Sequence, residues 1–341
     1  MIKNGVSVFL GLKEYSLEEN IKYLEYAKSL GYEMVFSSIH ISEADTILED
    51  FQKMFDKINS LGMKLSLDIS KKVYDAIKLP ECIYALRLDY GFTIEDTVEM
   101  SKNAPYLIEL NASGIDEYKL KAMIEKGLNV KNVRACFNYY PRLHTGHSMR
   151  FTEERIKLFH KYGMEIAGFV PSHVNFRPPM YEGLPTVESH RNGDLSVAIE
   201  ELKLAGIDEI FFGDAYASKD ELETLARHRT DEVLINVECY NDYIDLKLLN
   251  PFNVRVDSND EILRFGKRSQ EYVIAPFNTV ERKKFDVTVD NELFLRYMGE
   301  ANIVLTPLEK DERVNVIGRI IATDYMIDKI DYRKTLRLVK R

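Results

Sequence analysis

The chain has 341 residues, 45% of them hydrophobic and 30% charged, with a formal net charge of −9. That length exceeds one typical core and points to two domains, one of them barrel-sized, while the acidic balance argues against a general nucleic-acid surface. Cys82, Cys136 and Cys239 have no paired or metal-type spacing, no signal-peptide pattern precedes the first apolar run, and no apolar stretch nears the ~20 residues that span a bilayer. A soluble cytoplasmic protein with no membrane or nucleic-acid partner is expected.

Eight short apolar runs alternate with helix-like segments: Gly5 to Gly11, Glu33 to His40, Lys64 to Ser70, Ala85 to Gly91, Leu107 to Ser113, Val133 to Pro141, Glu165 to Ser172 and Glu209 to Tyr216. Such alternation is what a TIM (β/α)8 barrel, an α/β fold, requires. Capping boxes at Ser16 with Glu19, Ser42 with Asp45, Thr93 with Asp96 and Ser218 with Glu221 mark helix starts, and Thr152 reads as a further cap. Gly62, Gly127, Gly163 and Gly206 stand where helices should stop. The third helix, after Ser70, is short and ends before Pro80.

Beyond about Thr230 the pattern changes. Glu232 to Tyr240, Asn253 to Asp257, Tyr272 to Ala275, Phe285 to Val289, Ala301 to Leu305 and Val314 to Thr323 read as strands without regular helices between them. The domains expected are therefore 1–230, the barrel, and 231–341, a small, mostly β unit of roughly 110 residues.

Barrel chemistry collects at the C-terminal ends of the strands. Asp68, Asp89, Glu109 and Asp214 end or nearly end four of them, and Arg87 alternates with Leu86 and Leu88. A charged side chain in an apolar interior costs several kcal/mol unless paired. A structural ion pair such as Arg87 with Glu109 would meet that demand, but four carboxylates at four strand ends are better explained by a shared polar site. An Arg among them would keep some ionised and let others hold a proton.

Two loops add cations. After the sixth run, Asn138 to Arg150 carries Tyr140, Arg142, His144, His147 and Arg150; after the seventh, a long Pro- and aromatic-rich connection carries Arg177, Tyr181, Glu182, Glu188, His190 and Arg191. Guanidinium forks and hydroxyls can hold an anion, and loops beyond about 12–15 residues are usually functional or disordered. His144 and His147 lack a third ligand at sensible spacing, so no metal is expected; Walker-type and Rossmann glycine motifs are absent, so no organic cofactor is expected either.

The loop Arg177 to Arg191 (RPPMYEGLPTVESHR), the segment Asn138 to Ser148 (NYYPRLHTGHS) and Leu86 to Phe92 (LRLDYGF) resemble the MupG-type 6-phospho-N-acetylmuramidases. So do Gly5 to Phe9, Phe36 to Ser38, Val289 to Glu300 (VDNELFLRYMGE) and Asp311 to Arg319 (DERVNVIGR), so the resemblance spans nearly the whole chain. It implies a TIM barrel followed by a cyclophilin-like β domain. It also implies cytoplasmic hydrolysis of 6-phospho-N-acetylmuramic acid linked to N-acetylglucosamine, during cell-wall recycling.

Glycoside hydrolysis needs two carboxyl groups across the scissile bond. The catalytic candidates are Asp68, Asp89, Glu109 and Asp214. The candidates for binding the phosphorylated carbohydrate are Asn138, Tyr140, Arg142, Arg150, Arg177, Tyr181, Glu182, His190 and Arg191. A phosphosugar isomerase or aldolase on the same fold is an alternative, though no strand end carries a Schiff-base Lys; a non-catalytic phosphosugar-binding protein is another. The second domain would complete the site or support a homo-oligomer, with Arg296, Tyr297 and Glu300 the residues of interest.

Overall fold

The computed structural model describes residues 1–12, 14–39, 41–240, 246, 249–268 and 272–341, with backbone alone for 41–48. It divides into two compact units, Met1–Arg229 and Thr230–Arg341.

In the first unit, strands β1 (Lys3–Ser7), β2 (Met34–Ile39), β3 (Lys64–Ile69), β4 (Ile83–Leu88), β5 (Leu107–Asn111), β6 (Val133–Cys136), β7 (Ile166–Val170) and β8 (Glu209–Phe212) form a closed barrel. All pairs are parallel, and Gly5 of β1 pairs with Met34 on one side and Phe211 on the other, which closes the ring. The predicted runs overshoot several strand ends because their last residues already belong to the mouth loops. Helices α1 (Leu17–Ser29), α2 (Ile41–Ser60), α3 (Lys71–Tyr74), α4 (Ile94–Asn103), α5 (Glu117–Glu125), α6 (Met149–Lys161), α7 (Leu195–Ala205) and α8 (Lys219–Arg227) follow the strands in turn. Capping boxes hold at Ser16, Thr93 and Ser218; the one expected at Ser42 and Asp45 lies outside the described side chains. Thr152 is not a cap: Ser148 accepts from the Phe151 N–H, and the Thr152 hydroxyl bonds back to the Ser148 carbonyl from inside α6. Gly206 takes a left-handed φ of 98° at the end of α7, where a side chain would be strained.

The barrel interior is divided by chemistry. One half is aromatic: Phe36, Phe169 and Phe211 pack with ring centroids 5.1–6.0 Å apart and join Phe9, Met34, Cys136 and Ala167 in one buried cluster. Gly5 makes room for it, since a Cβ there would lie 2.1 Å from the Phe211 ring. The other half carries Asp68, Arg87, Glu109, Arg134 and Glu209, all buried. Branched apolar side chains would normally fill these positions.

The second unit is a seven-stranded sheet. Its strands are β9 (Val233–Cys239), β10 (Phe252–Asn253), β11 (Ile262–Gly266), β12 (Asp286–Asp290), β13 (Glu300–Val304), β14 (Val314–Ile320) and β15 (Thr335–Lys340), in the order β10-β15-β9-β14-β12-β13-β11. Only β15 and β9 pair in parallel. Tyr272 to Ala275 is not a strand, and β11, β15 and the short helix α9 (Asp324–Asp328) are elements the sequence pattern did not reveal. Among the described residues no helix is long and apolar enough to cross a membrane.

Candidate active site

The polar half of the barrel forms two layers. The lower one is built by residues near the middle or start of their strands. Arg134 reaches Glu109 with Nε at 3.2 Å and Glu209 with Nη2 at 2.6 Å. All three side chains are at most 1% exposed. These are close ion pairs without aligned hydrogen bonds, and Arg134 Nη1 has no partner. Burial disfavours the guanidinium charge, but the two carboxylates outweigh it and raise the Arg134 pKa; burial raises that of Glu209. The Ser66 hydroxyl donates to Glu109 at 3.0 Å. Glu109 therefore does not join a solvent-facing rim, and it pairs with Arg134, not with Arg87.

The upper layer lies at the strand ends. Arg87 donates to Asp68 at 3.0 Å and, through its other terminal nitrogen, to the Asn138 side-chain oxygen. The Ser38 hydroxyl donates to Asp68 at 3.1 Å. Burial opposes the Arg87 charge, yet the neighbouring Asp68 raises its pKa. Asp68 keeps 5% exposure. Two residues beyond Arg87, Asp89 is exposed, and its carboxylate has no hydrogen-bond or ion-pair partner among the described residues. Its backbone N–H is tied to the Ile69 carbonyl at 3.1 Å, which fixes it at the end of β4 beside β3.

The two long loops are held by buried charges. Arg191, 2% exposed, donates to both oxygens of Glu188 at 2.8 Å. It also donates to the carbonyls of Tyr140, Arg142, Glu182 and Gly183 at 2.9–3.0 Å. Every arm of its fork is spent on loop backbone or on Glu188. Glu188 in turn accepts the N–H groups of His144 and Gly146; the Arg191 hydrogen bonds, then these donors, hold its pKa down to about 2. Asp214 is fully buried and accepts the N–H groups of Ser172, Arg177 and Leu184 at 3.0–3.1 Å, spanning the loop after β7. Burial pushes its pKa up to about 6 against the pull of those three donors. Asp214 is thus the anchor of this loop and presents no face to solvent.

Other expected binding residues also have partners within the protein. Arg191 is a clasp with no free N–H for an anion. His190 is buried and hydrogen-bonded to Glu201 at 2.7 Å. Arg150 lies on the outer face of α6, paired with Glu154 one turn away. Glu182 accepts the Leu143 N–H at 2.9 Å, and Tyr181 donates to Glu14 at 2.7 Å.

What remains open at the mouth is a smaller set. Arg177 stacks on Phe9, 4.0 Å from the ring centroid, and donates to the Tyr139 hydroxyl at 2.7 Å. Among the described residues it has no carboxylate partner, and its Nε is unbonded. Tyr139 is half-buried; desolvation raises its pKa, and it feels the charges of Arg177, Asp68 and Arg87 together. Asp68, Arg87, Asn138, Tyr139 and Arg177 therefore form one contiguous run. Beside it, His147 Nε2 lies 2.8 Å from the Tyr140 hydroxyl and 2.9 Å from the Ser113 hydroxyl, with its ring stacked on Phe151. Burial, helped by Arg155, lowers the His147 pKa to about 4, so the ring is neutral above that. Arg142 is exposed at the tip of its loop, with no ion-pair partner among the described residues. Among the described residues no cluster of three His, Cys, Asp or Glu is arranged for a metal ion.

Residues 4–227 match the N-terminal model of the 6-phospho-N-acetylmuramidase family, and residues 233–339 match its C-terminal model. The chain belongs to the 6-phospho-N-acetylmuramidase family. A solved structure of a conserved Enterococcus faecalis protein of unknown function is 29% identical, with a TM-score of 0.76, over 99% of this chain and 96% of that one. An uncharacterised Bacillus cereus protein is 24% identical with a TM-score of 0.83, over 99% and 100% of the two chains, and shares the fold. No curated protein matches the sequence.

For this 6-phospho-N-acetylmuramidase family member, the sequence pattern did not single out Arg134, Glu209, Ser113 or the hydrogen bond of Arg177 to Tyr139. Arg134 and Glu209 each stand next to apolar strand residues, a signal equal to that of Arg87. Tyr139 alternates with Asn138 just past β6, but nothing local ties it to a residue on another loop.

Proposed function

We propose that the protein hydrolyses the glycosidic bond of a disaccharide of 6-phospho-N-acetylmuramic acid and N-acetylglucosamine, in cytoplasmic recycling of peptidoglycan. The observation that carries this reading is the pairing of two differently held carboxylates, Asp68 against Arg87 and Asp89 unpartnered, at the ends of adjacent strands. The same contiguous run carries at Arg177 a guanidinium with no acidic partner among the described residues. Family membership supports the reaction class.

One carboxyl group must protonate the leaving oxygen while the other attacks the anomeric carbon or activates water. Asp68, fixed by Arg87 and Ser38, suits the role that faces developing positive charge on the sugar ring. Asp89, open to solvent, suits proton delivery and return. Arg177 would take the phosphate or the lactyl carboxylate through its unspent N–H groups, with Arg142 at the loop tip as a second cation. Tyr140, kept in place by His147, offers a hydroxyl to the sugar. Glu109 and Asp214 act as positioning residues, one through Arg134 and one through the loop that carries Arg177.

Incubation of the pure protein with the phosphorylated disaccharide, followed by mass spectrometry of the released sugars, tests this. Cleavage is expected. Tight binding without cleavage would instead favour a non-catalytic phosphosugar-binding protein.

A further inference from the structure

The second unit carries an arginine cluster that the glycosidase reading does not use. Glu300, 5% exposed at the start of β13, accepts from Arg264 at 2.8 Å and Arg268 at 2.7 Å, with Arg255 3.4 Å away. Its hydrogen bonds with Arg268 and Arg264 outweigh burial and hold its pKa low, so it is ionised. Asp257 takes the remaining contacts of Arg255 and Arg264, at 2.7–2.8 Å. Arg296 has no carboxylate partner among the described residues. Its guanidinium lies over the Tyr297 ring at 4.9 Å and donates to the Tyr297 hydroxyl at 2.7 Å. Arg268 lies over the same ring at 4.4 Å and, among the described residues, hydrogen-bonds only through Nε to Glu300. Four guanidiniums thus face two ionised carboxylates. Asp290 stands near, its proton retained to about pH 7 by burial and by Glu300.

Two guanidiniums gathered over one aromatic ring repel each other unless an anion lies between them. The chain also holds them there under backbone strain. Leu295, immediately before Arg296, has φ 54° and ψ −117°, a conformation that a branched residue rarely adopts, and its side chain is 80% exposed. Strain of this kind persists where the surroundings impose it, and it clusters at ligand sites.

We propose that Arg268, Arg296 and Tyr297 form a second anion site, for a phosphate or phosphate-monoester dianion. The remaining terminal N–H groups of Arg268 and Arg296 grip the phosphate oxygens. The Tyr297 hydroxyl, accepting from Arg296, donates its own proton to a third. The site is built from residues of the second unit alone and does not depend on the glycosidase reading.

The test is isothermal titration of the full chain with inorganic phosphate and with glucosamine 6-phosphate, at constant ionic strength set by chloride. The parent is Arg177→Gln, which removes the anion partner proposed at the mouth. The parent should bind phosphate in preference to chloride. Adding Arg296→Gln should weaken binding about tenfold or more, Arg268→Gln should do the same, and Arg150→Gln should change nothing. Arg296 is exposed, so its variant keeps the fold, which its melting temperature checks. Arg296-dependent binding that is tighter for the sugar phosphate assigns a phosphosugar ligand; equal binding assigns free phosphate; either supports the site. Loss of all phosphate binding with Arg177→Gln alone, or binding untouched by both Arg268→Gln and Arg296→Gln, overturns it.

Discussion

The two charged layers of the barrel are made of the same residue types and behave as opposites. In the lower layer Arg134 is enclosed by Glu109 and Glu209 with at most 1% exposure, and no atom faces a ligand. In the upper layer, among the described residues, Arg87 holds one carboxylate, Asp68, Asp89 beyond it is exposed, and Arg177 has no acid partner. A charge inside a barrel is therefore no sign of chemistry by itself. The distinction lies in whether the strand ends leave any of its neighbours unsatisfied.

Removing one partner from the sealed layer gives the largest expected change. Glu209→Gln should destabilise the first unit by about 3–5 kcal/mol, because it strands half of a buried pairing. Replacing all three residues by apolar ones of similar volume should restore stability, since a buried triad is weak evidence for net stabilisation. Thermal melts of both variants check this, and a triple variant as unstable as the single one would show that the layer does more than balance itself. Next, Asp68→Asn and Asp89→Asn should each lower turnover at least ~100-fold, the scale of lost acid–base help. Asp89→Asn should leave the melting temperature unchanged. Near-normal rates in both would remove the upper layer from the reaction.

A smaller effect concerns pH. The folded-state pKa of His147 lies at about 4, below its ordinary value. The unfolded chain therefore binds the extra proton first, and stability falls as pH drops from about 6.5 towards 4. Half of the ring is open to solvent screening, so the loss is on the order of 1 kcal/mol. His147→Gln should flatten this acid limb in melts taken at pH 4.5 and 7. The smallest change is expected at Arg150, where Arg150→Ala should leave KM as it is, because the residue serves an exposed helix pair worth about 0.3–0.5 kcal/mol. Arg177→Ala should raise KM, and equal KM values for the two variants would break the contrast between them.

The fold was legible because strand–helix alternation repeats eight times and glycines mark the stops. The site was legible only as a set of residue types. Arg87 sits in register with both Asp68 and Glu109 on its flanking strands, so local pattern cannot choose its partner; the choice falls to Arg134 on β6, which claims Glu109. Arg191 and Asp214 misled for a related reason. Their partners are backbone groups from distant loop positions, and backbone groups leave no trace in a sequence. Strands β11 and β15 escaped because their alternation, Leu263 and Phe265 about Arg264 and Leu336 and Leu338 about Arg337, is too short to stand out.

The Arg191 clasp has a consequence for engineering. One guanidinium ties carbonyls from both overhanging loops to a single carboxylate, so neither loop can be exchanged alone without leaving a buried cation short of acceptors. Redesign of the mouth for another sugar would have to transplant residues 138–148 and 171–191 together, as one cassette with its own internal latch.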